Sequence, residues 1–294
     1  MNGPLDGISL VSVALNIPGP VAVARLVEMG ASATTVLPPA GDPLQIYRQA
    51  WFDELHRDHD VLTLDLKQDA ERRQMHALLA QADVFLTSSR PSALRRLGLD
   101  FEKLVARHPR LCQVDIVGYP GDAGEVAGHD LTYQAVHGLV RGEQLPPTLS
   151  VDLMGAERAV TEVLAVLRER PRSGVGARRQ VVLSEMADLL SAPLRHGLTT
   201  PGGLLGGGLP LYGVYPAQEG RVALAALEPH FARALVAALA GERWAAVGDE
   251  SAESELTTGR LREVFAQRTS RDWEEWAQRH GIPLVAVADP RAID

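Results

Sequence analysis

A chain of 294 residues, 46% hydrophobic and 22% charged, has the composition of a globular protein able to bury a sizeable core. Its 29 basic and 37 acidic residues leave a formal net charge of −8, and the basic ones are scattered in pairs such as Arg95-Arg96 and Arg178-Arg179, which argues against a nucleic-acid partner. A lone cysteine, Cys112, excludes an internal disulfide and a cysteine-rich metal site.

The first 120 residues alternate strand-like and helical runs. ISLVSVAL (8–15) reads as a buried strand broken by IPGP (17–20), and VAVARLVEMG (21–30) as an amphipathic helix ended by Gly30. SATTVLP (32–38), DVLTLDL (60–66), DVFLTSS (83–89) and RLCQVDIVG (110–118) are four more strands, with a helix over 68–82. This spacing predicts an α/β domain whose mostly parallel sheet carries helices on both faces, with Cys112 buried and inert. A long helix follows from Asp152 to about Arg170, then a turn (170–179), and then a strand and helix in QVVLSEMADLL. The Gly/Pro-rich LTTPGGLLGGGLP (198–210) marks a linker. Beyond it lie a hairpin in LYGVYPAQEGRVALAAL, helices at 229–240, 258–267 and 270–279, and a short strand in IPLVAVA. Two domains are expected: a large α/β domain over 1–197 and a small α+β domain over 198–294.

Three stretches invite a chemical reading. GGLLGGG (202–208) lacks the features of a phosphate-binding or dinucleotide loop, so a nicotinamide or nucleoside triphosphate is not expected; a hinge is. DELHRDHD (53–60) has the wrong spacing for a helical metal pair, so Asp53, His56, His59 and Asp60 are expected to be solvated, with no metal. AGHDLTYQAVHG (127–138) places His129 beside Asp130, and a second carboxylate, Asp152, stands at the start of the long helix. Asp152 is open to reading as an N-cap. Compatible with that, it is readable as half of a two-base site, with the N–H groups of that helix start as oxyanion donors.

An ordered series of segments resembles the family III CoA-transferase superfamily, and within it the α-methylacyl-CoA racemases. PLDGISLVSVALNIPGPVAVARLVEMGASATTVLPPAGDP is similar to the family's opening strand, PGP turn, helix and GDP; LTLDLK (62–67), SRPSALRRLGLDFEKLVARHPRL (89–111) and GYPGDAGEVAGHDLTY (118–133) follow in order. GGGLPLYGVYPAQEGRVALAALEPHF (206–231) and RTSRDWEEWAQRHGIPLVAV (268–287) match the small domain. The resemblance implies a Rossmann-like large domain plus a small α+β domain, and a homodimer of interlocked chains with the site between the large domain of one and the small domain of the other. It places the racemase histidine at His129, the catalytic aspartate at Asp152, and at Glu228 an acid that holds the histidine's tautomer. Arg90 then corresponds to a basic contact to the CoA phosphates, and Asp130 to a structural residue. With the sequence running to PRAID, the resemblance leads one to expect a C-terminally shortened version of the family fold, and HRDH (56–59) replaces a usual basic stretch.

The implied function is a racemase or epimerase, an isomerase passing through an enolate of an acyl-CoA or carrier-protein-bound acyl thioester, with no tightly bound cofactor. The alternatives are a CoA-transferase with Asp152 as nucleophile, a biosynthetic thioester isomerase or dehydratase, and a non-catalytic binding or assembly protein. MNGPLDG has no basic stretch leading into an apolar core, and no apolar run nears the ~20 residues of a membrane span, so a cytoplasmic setting without membrane partners is expected.

Overall fold

The computed structural model describes residues 3–241 and 256–290. The first two residues of MNGPLDG and the last four of PRAID lie outside them. The chain forms two compact units, Met1–Ser191 and Ala192–Asp294.

The first unit is built on six strands: β1 (Ser9–Ser12), β2 (Ser32–Leu37), β3 (Asp60–Thr63), β4 (Val84–Thr87), β5 (Cys112–Val117) and β6 (Arg178–Val182). They form one sheet in the order β3-β2-β1-β4-β5-β6, every neighbouring pair parallel. Strands covered on both faces are mostly apolar, and β4 and β5 are buried at every residue, the polar pair Gln113 and Asp115 of β5 bonded to each other. Successive side chains alternate between two cores. Leu10, Val84 and Leu86 join α1 (Pro18–Glu28) and α7 (Ser150–Ser173) on one side. Val11 and Phe85 join α3 (Asp69–Gln81), α4 (Pro91–Leu97) and α5 (Phe101–Arg107) on the other.

Two helices start earlier than their periodicity predicts. The PGP that ends the first strand segment also opens α1, because the N–H that proline lacks is one a first helical turn leaves unpaired anyway. Helix α7 begins at Ser150, two residues before Asp152. Two further helices have too little apolar period to announce themselves, α2 (Pro43–Leu55) and α6 (Asp130–Val136), whereas the helix expected in QVVLSEMADLL is α8 (Leu183–Leu190), following directly on β6.

The second unit begins with α9 (Ala192–Arg195) and a π-type turn at Leu204–Gly208 within the glycine-rich stretch. The predicted hairpin is β7 (Tyr212–Pro216) and β8 (Arg221–Ala225), and β9 (Leu284–Ala286) adds antiparallel to β8. Helices α10 (Pro229–Gly241), α11 (Thr258–Phe265) and α12 (Ser270–His280) complete it. Its core is aromatic: Trp273 stands edge-on to Phe265 and Trp276, and its indole N–H donates to the Phe265 carbonyl at 2.9 Å.

In the large sheet the chain winds outward from β1 to β3, then restarts at β4 on the other side of β1. The loops leaving β1 and β4 therefore diverge and open a crevice at the strands' carboxyl ends, the usual ligand position in sheets of this kind.

Candidate active site

A cavity of about 210 Å³ lies at this crevice, lined by the loops after β1, β4 and β5 and by the starts of α6, α7 and α8. The β1 loop is held in an uncommon conformation. Asn16 has φ 65°, a left-handed backbone that side chains other than glycine seldom adopt. Its N–H donates to both carboxylate oxygens of Asp42 at 3.2 and 3.1 Å, and the Leu15 N–H donates to the Ser88 hydroxyl at 2.9 Å. Asp42 also accepts the Leu44 N–H at 2.8 Å as the N-cap of α2, and burial pushes its carboxyl above the usual range. One carboxylate thus ties the β1 loop to the α2 start.

The GHDLTY stretch resolves into separate jobs. His129 is exposed, lines the cavity and precedes α6. Its backbone is clamped by the Thr132 hydroxyl, which accepts the His129 N–H at 3.0 Å and donates to its carbonyl at 2.7 Å. Asp130 is buried; one of its oxygens accepts the N–H groups of Val151 and Asp152 at 2.8 and 2.9 Å, and the other accepts the Gln134 amide. Tyr133 is buried edge-on to Tyr119, with its hydroxyl between Gly118 and Gly128. A Cβ on Gly118 would meet that hydroxyl at 2.4 Å, and one on Gly128 would meet the ring at 2.6 Å. Both glycines are bare to admit the tyrosine. Burial pushes the Tyr133 hydroxyl up to about 12, with Tyr119 and Asp152 adding to the shift.

Asp152 lies within the first turn of α7 and is not its N-cap; the side chain that satisfies this helix start is Asp130. The Asp152 carboxyl is thereby left to the cavity, partly buried, and is pushed up to about 7, first by burial and then by the charge of Asp130. The α7 start is not a set of free oxyanion donors, as the sequence suggests it could be. The Val151 and Asp152 N–H groups are taken by Asp130, and that of Leu153 by the Leu149 carbonyl at 3.0 Å. The glycine three residues after Asp152 has a packing reason: a Cβ on Gly155 would meet Leu183, which lines the cavity, at 2.3 Å.

Arg90, exposed at the start of α4, lines the same cavity as His129 and Asp152. Glu228 is exposed just before α10 in the second unit, and this cavity's lining does not include it. The DELHRDHD stretch is solvated only in part: Asp53 and Asp60 are exposed, but His56 is buried and stacked on Phe52 at 4.0 Å, and His59 bonds the Thr35 hydroxyl at 3.0 Å. Among the described residues no three His, Cys, Asp or Glu side chains are grouped as a metal ion would need, and no helix is long and apolar enough to cross a membrane. Sequence reasoning missed Asn16, Asp42 and Tyr133, whose roles depend on a backbone angle and on contacts across the fold.

Residues 5–293 match the model of the family described as CoA-transferase family III. The chain is 30% identical to alpha-methylacyl-CoA racemase of Mus musculus, over 92% of this chain and 74% of that protein. It is 23% identical to acetyl-CoA:oxalate CoA-transferase of Acetobacter aceti, over 98% and 81%. The solved structure of Rv3272 from Mycobacterium tuberculosis has a TM-score of 0.83 at 25% identity, covering 98% of this chain and 84% of that one. A CAIB/BAIF family protein from Brucella suis shares the fold with a TM-score of 0.78 at 22% identity, covering 99% and 87%.

Proposed function

The chain belongs to CoA-transferase family III, and from that premise we propose that it exchanges the α-proton of an acyl-CoA thioester, racemising or epimerising that carbon. The observation that carries this reading is that His129 and Asp152 line one cavity, with the Asp152 carboxyl held at about 7. A group near neutrality can both hold and release a proton under physiological conditions, which two-directional exchange requires.

In one direction the His129 imidazole takes the α-proton, and the C–H electron pair moves into the thioester to make an enolate. Protonated Asp152 then returns a proton to the other face of the carbon. Carbon stereochemistry inverts, His129 is left protonated and Asp152 ionised, and the reverse reaction starts from that state. The enolate oxygen needs a donor other than the occupied N–H groups of α7, and the Tyr133 hydroxyl, which stays protonated to about 12, is our assignment. Arg90 is assigned to the CoA phosphates. A mainly apolar groove of about 460 Å³ at the ends of β1–β3, sharing Leu15 and Ser89 with the cavity, is assigned to the carrier's nucleotide end. Glu228 is assigned to orienting His129 from the second unit of another copy, in a homodimer.

Deuterium wash-in at the α-carbon of a panel of acyl-CoA and acyl-carrier thioesters, read by mass spectrometry, tests this. Exchange should fall by on the order of 10²–10⁴ in His129→Ala and in Asp152→Ala. Exchange retained in both variants would sink the reading.

The likeness to a CoA-transferase across 98% of the chain favours a second reading. There the Asp152 carboxylate attacks the thioester carbonyl, the C–S bond breaks, the CoA thiolate leaves and an anhydride forms, which the returning thiolate and an acceptor acid resolve. Product formation that requires a free-acid acceptor selects this reading over the first.

A further inference from the structure

Away from the cavity and the groove, α3 and α5 frame a broad hollow of about 640 Å³. Its titratable lining groups are Arg72 and His76 from α3 and Lys103 and Arg107 from α5, and none is acidic, in a chain of net charge −8. Arg72 and Lys103 each have an aspartate neighbour, Asp69 and Asp100, on the turn before their own position. Arg107 makes no ion pair among the described residues. Beside it, the His76 and His108 rings lie 6.1 Å apart, and Nδ1 of His76 and Nε2 of His108 are buried without a hydrogen-bond partner. A buried polar atom left unpaired is costly, so two in one place point to a missing partner.

We propose that this hollow binds a phosphate dianion. Guanidinium groups present paired N–H donors that match phosphate oxygens, and the ammonium of Lys103 adds a point charge. The His76 imidazole, with His108 behind it, completes the set, because it gains a donor N–H on taking up a proton, and a neighbouring dianion favours that uptake. Both rings sit below the ordinary histidine range. Burial is the first cause; Arg107, His108 and Arg72 follow for His76, and Arg107 for His108. Crowded positive charge of this kind is what an anion relieves.

Leu97 lines both this hollow and the apolar groove. The dianion therefore has two possible sources, free phosphate or the phosphomonoester on the ribose of a CoA carrier held in the groove. The site itself does not depend on the proton-exchange chemistry.

Calorimetric titration of the full chain with inorganic phosphate, CoA and dephospho-CoA at low ionic strength decides the matter. The wild type is compared with Arg107→Gln, Arg107→Lys and His76→Gln, each checked for an unchanged thermal midpoint. Phosphate should bind saturably and weaken about tenfold in Arg107→Gln, with partial recovery in Arg107→Lys. CoA outbinding dephospho-CoA in the wild type but not in Arg107→Gln assigns the dianion to the carrier. Equal binding of those two, with Arg107-dependent phosphate binding, assigns it to free phosphate. If neither phosphate nor CoA responds to Arg107→Gln or His76→Gln, the proposal is overturned.

Discussion

The carboxylate of Asp130 accepts the backbone N–H of Asp152 at 2.9 Å. The same oxygen takes the Val151 N–H, so one buried side chain both fixes the start of α7 and stands beside the carboxyl that the helix presents to the cavity. Scaffold and tuning are joined in a single residue, since Asp130 is the second cause, after burial, of the raised Asp152 pKa.

Asp130→Asn separates these roles. The amide keeps an oxygen acceptor for the helix start but removes the charge, so Asp152 should titrate below its present value of about 7. The shift is partial, because burial remains. Infrared or carbon NMR titration of the Asp152 carboxyl reads it directly, and no downward movement would show that Asp130 is not a source of the shift. The loss of a charge-assisted contact should cost on the order of 1–3 kcal/mol of stability.

Asp152 itself makes the fold less stable at neutral pH than at acid pH. Its ordinary carboxyl value is 3.8 and its folded value is about 7. Between these limits the folded chain retains a proton that the unfolded chain has released, so stability falls as pH rises through that window. Asp152→Asn, which has no charge to bury, should therefore gain on wild type, by on the order of a few kcal/mol above pH 7 and by almost nothing near pH 4. Urea denaturation at both ends of the window measures the difference; a gain that is independent of pH would contradict the raised pKa.

Much of this was legible in the sequence, and the limits have physical reasons. The parallel sheet could be read because short strand-like runs alternate with helical ones along the first 120 residues, the spacing that crossover connections between parallel strands require. His129 and Asp152 stood out as a pair through the family resemblance. The capping role of Asp130 was hidden because its partners, Val151 and Asp152, are 21 and 22 residues away along the chain. Asp42 was hidden likewise, its contact with Asn16 spanning 26 residues. The buried His56 and half-buried His59 were misread because charged neighbours in DELHRDHD suggest solvent, whereas Phe52 and Thr35, which hold them, lie on α2 and β2.

Gly118 and Gly128 border the same tyrosine, but a methyl group at Gly118 would strike only its hydroxyl closely, whereas one at Gly128 would strike the hydroxyl and the ring together. Gly118→Ala meets the Tyr133 hydroxyl at 2.4 Å and its ring carbon only at 3.3 Å, whereas Gly128→Ala meets the hydroxyl at 2.6 Å and two ring carbons at 2.6 and 2.7 Å, so removing the hydroxyl still leaves the ring clash. Each alanine alone should destabilise by about 1–3 kcal/mol through overpacking. Adding Tyr133→Phe should recover most of the loss in the Gly118→Ala background and little in the Gly128→Ala background. Thermal midpoints of the four variants test this, and equal recovery in both backgrounds would refute the geometry.

His59 opposes Asp152 over much of the same pH range. Burial first and His56 second hold its ring at about 4 instead of 6.5. Between those values the unfolded chain binds a proton that the folded chain refuses, so this contribution to stability falls as pH falls. The slopes of His59 and Asp152 partly cancel in the wild type, which should look deceptively insensitive to mild acid. Removing either group exposes the other. Asp152→Asn should lose stability steeply from pH 6.5 to 4, and His59→Gln, uncharged at every pH, should become more stable over that interval. His56, also lowered chiefly by burial, has the same sign as His59, so the His59→Gln curve keeps a residual acid loss. Denaturation midpoints of wild type and both single variants at four pH values suffice, and parallel curves for all three would mean that neither side chain is perturbed as described.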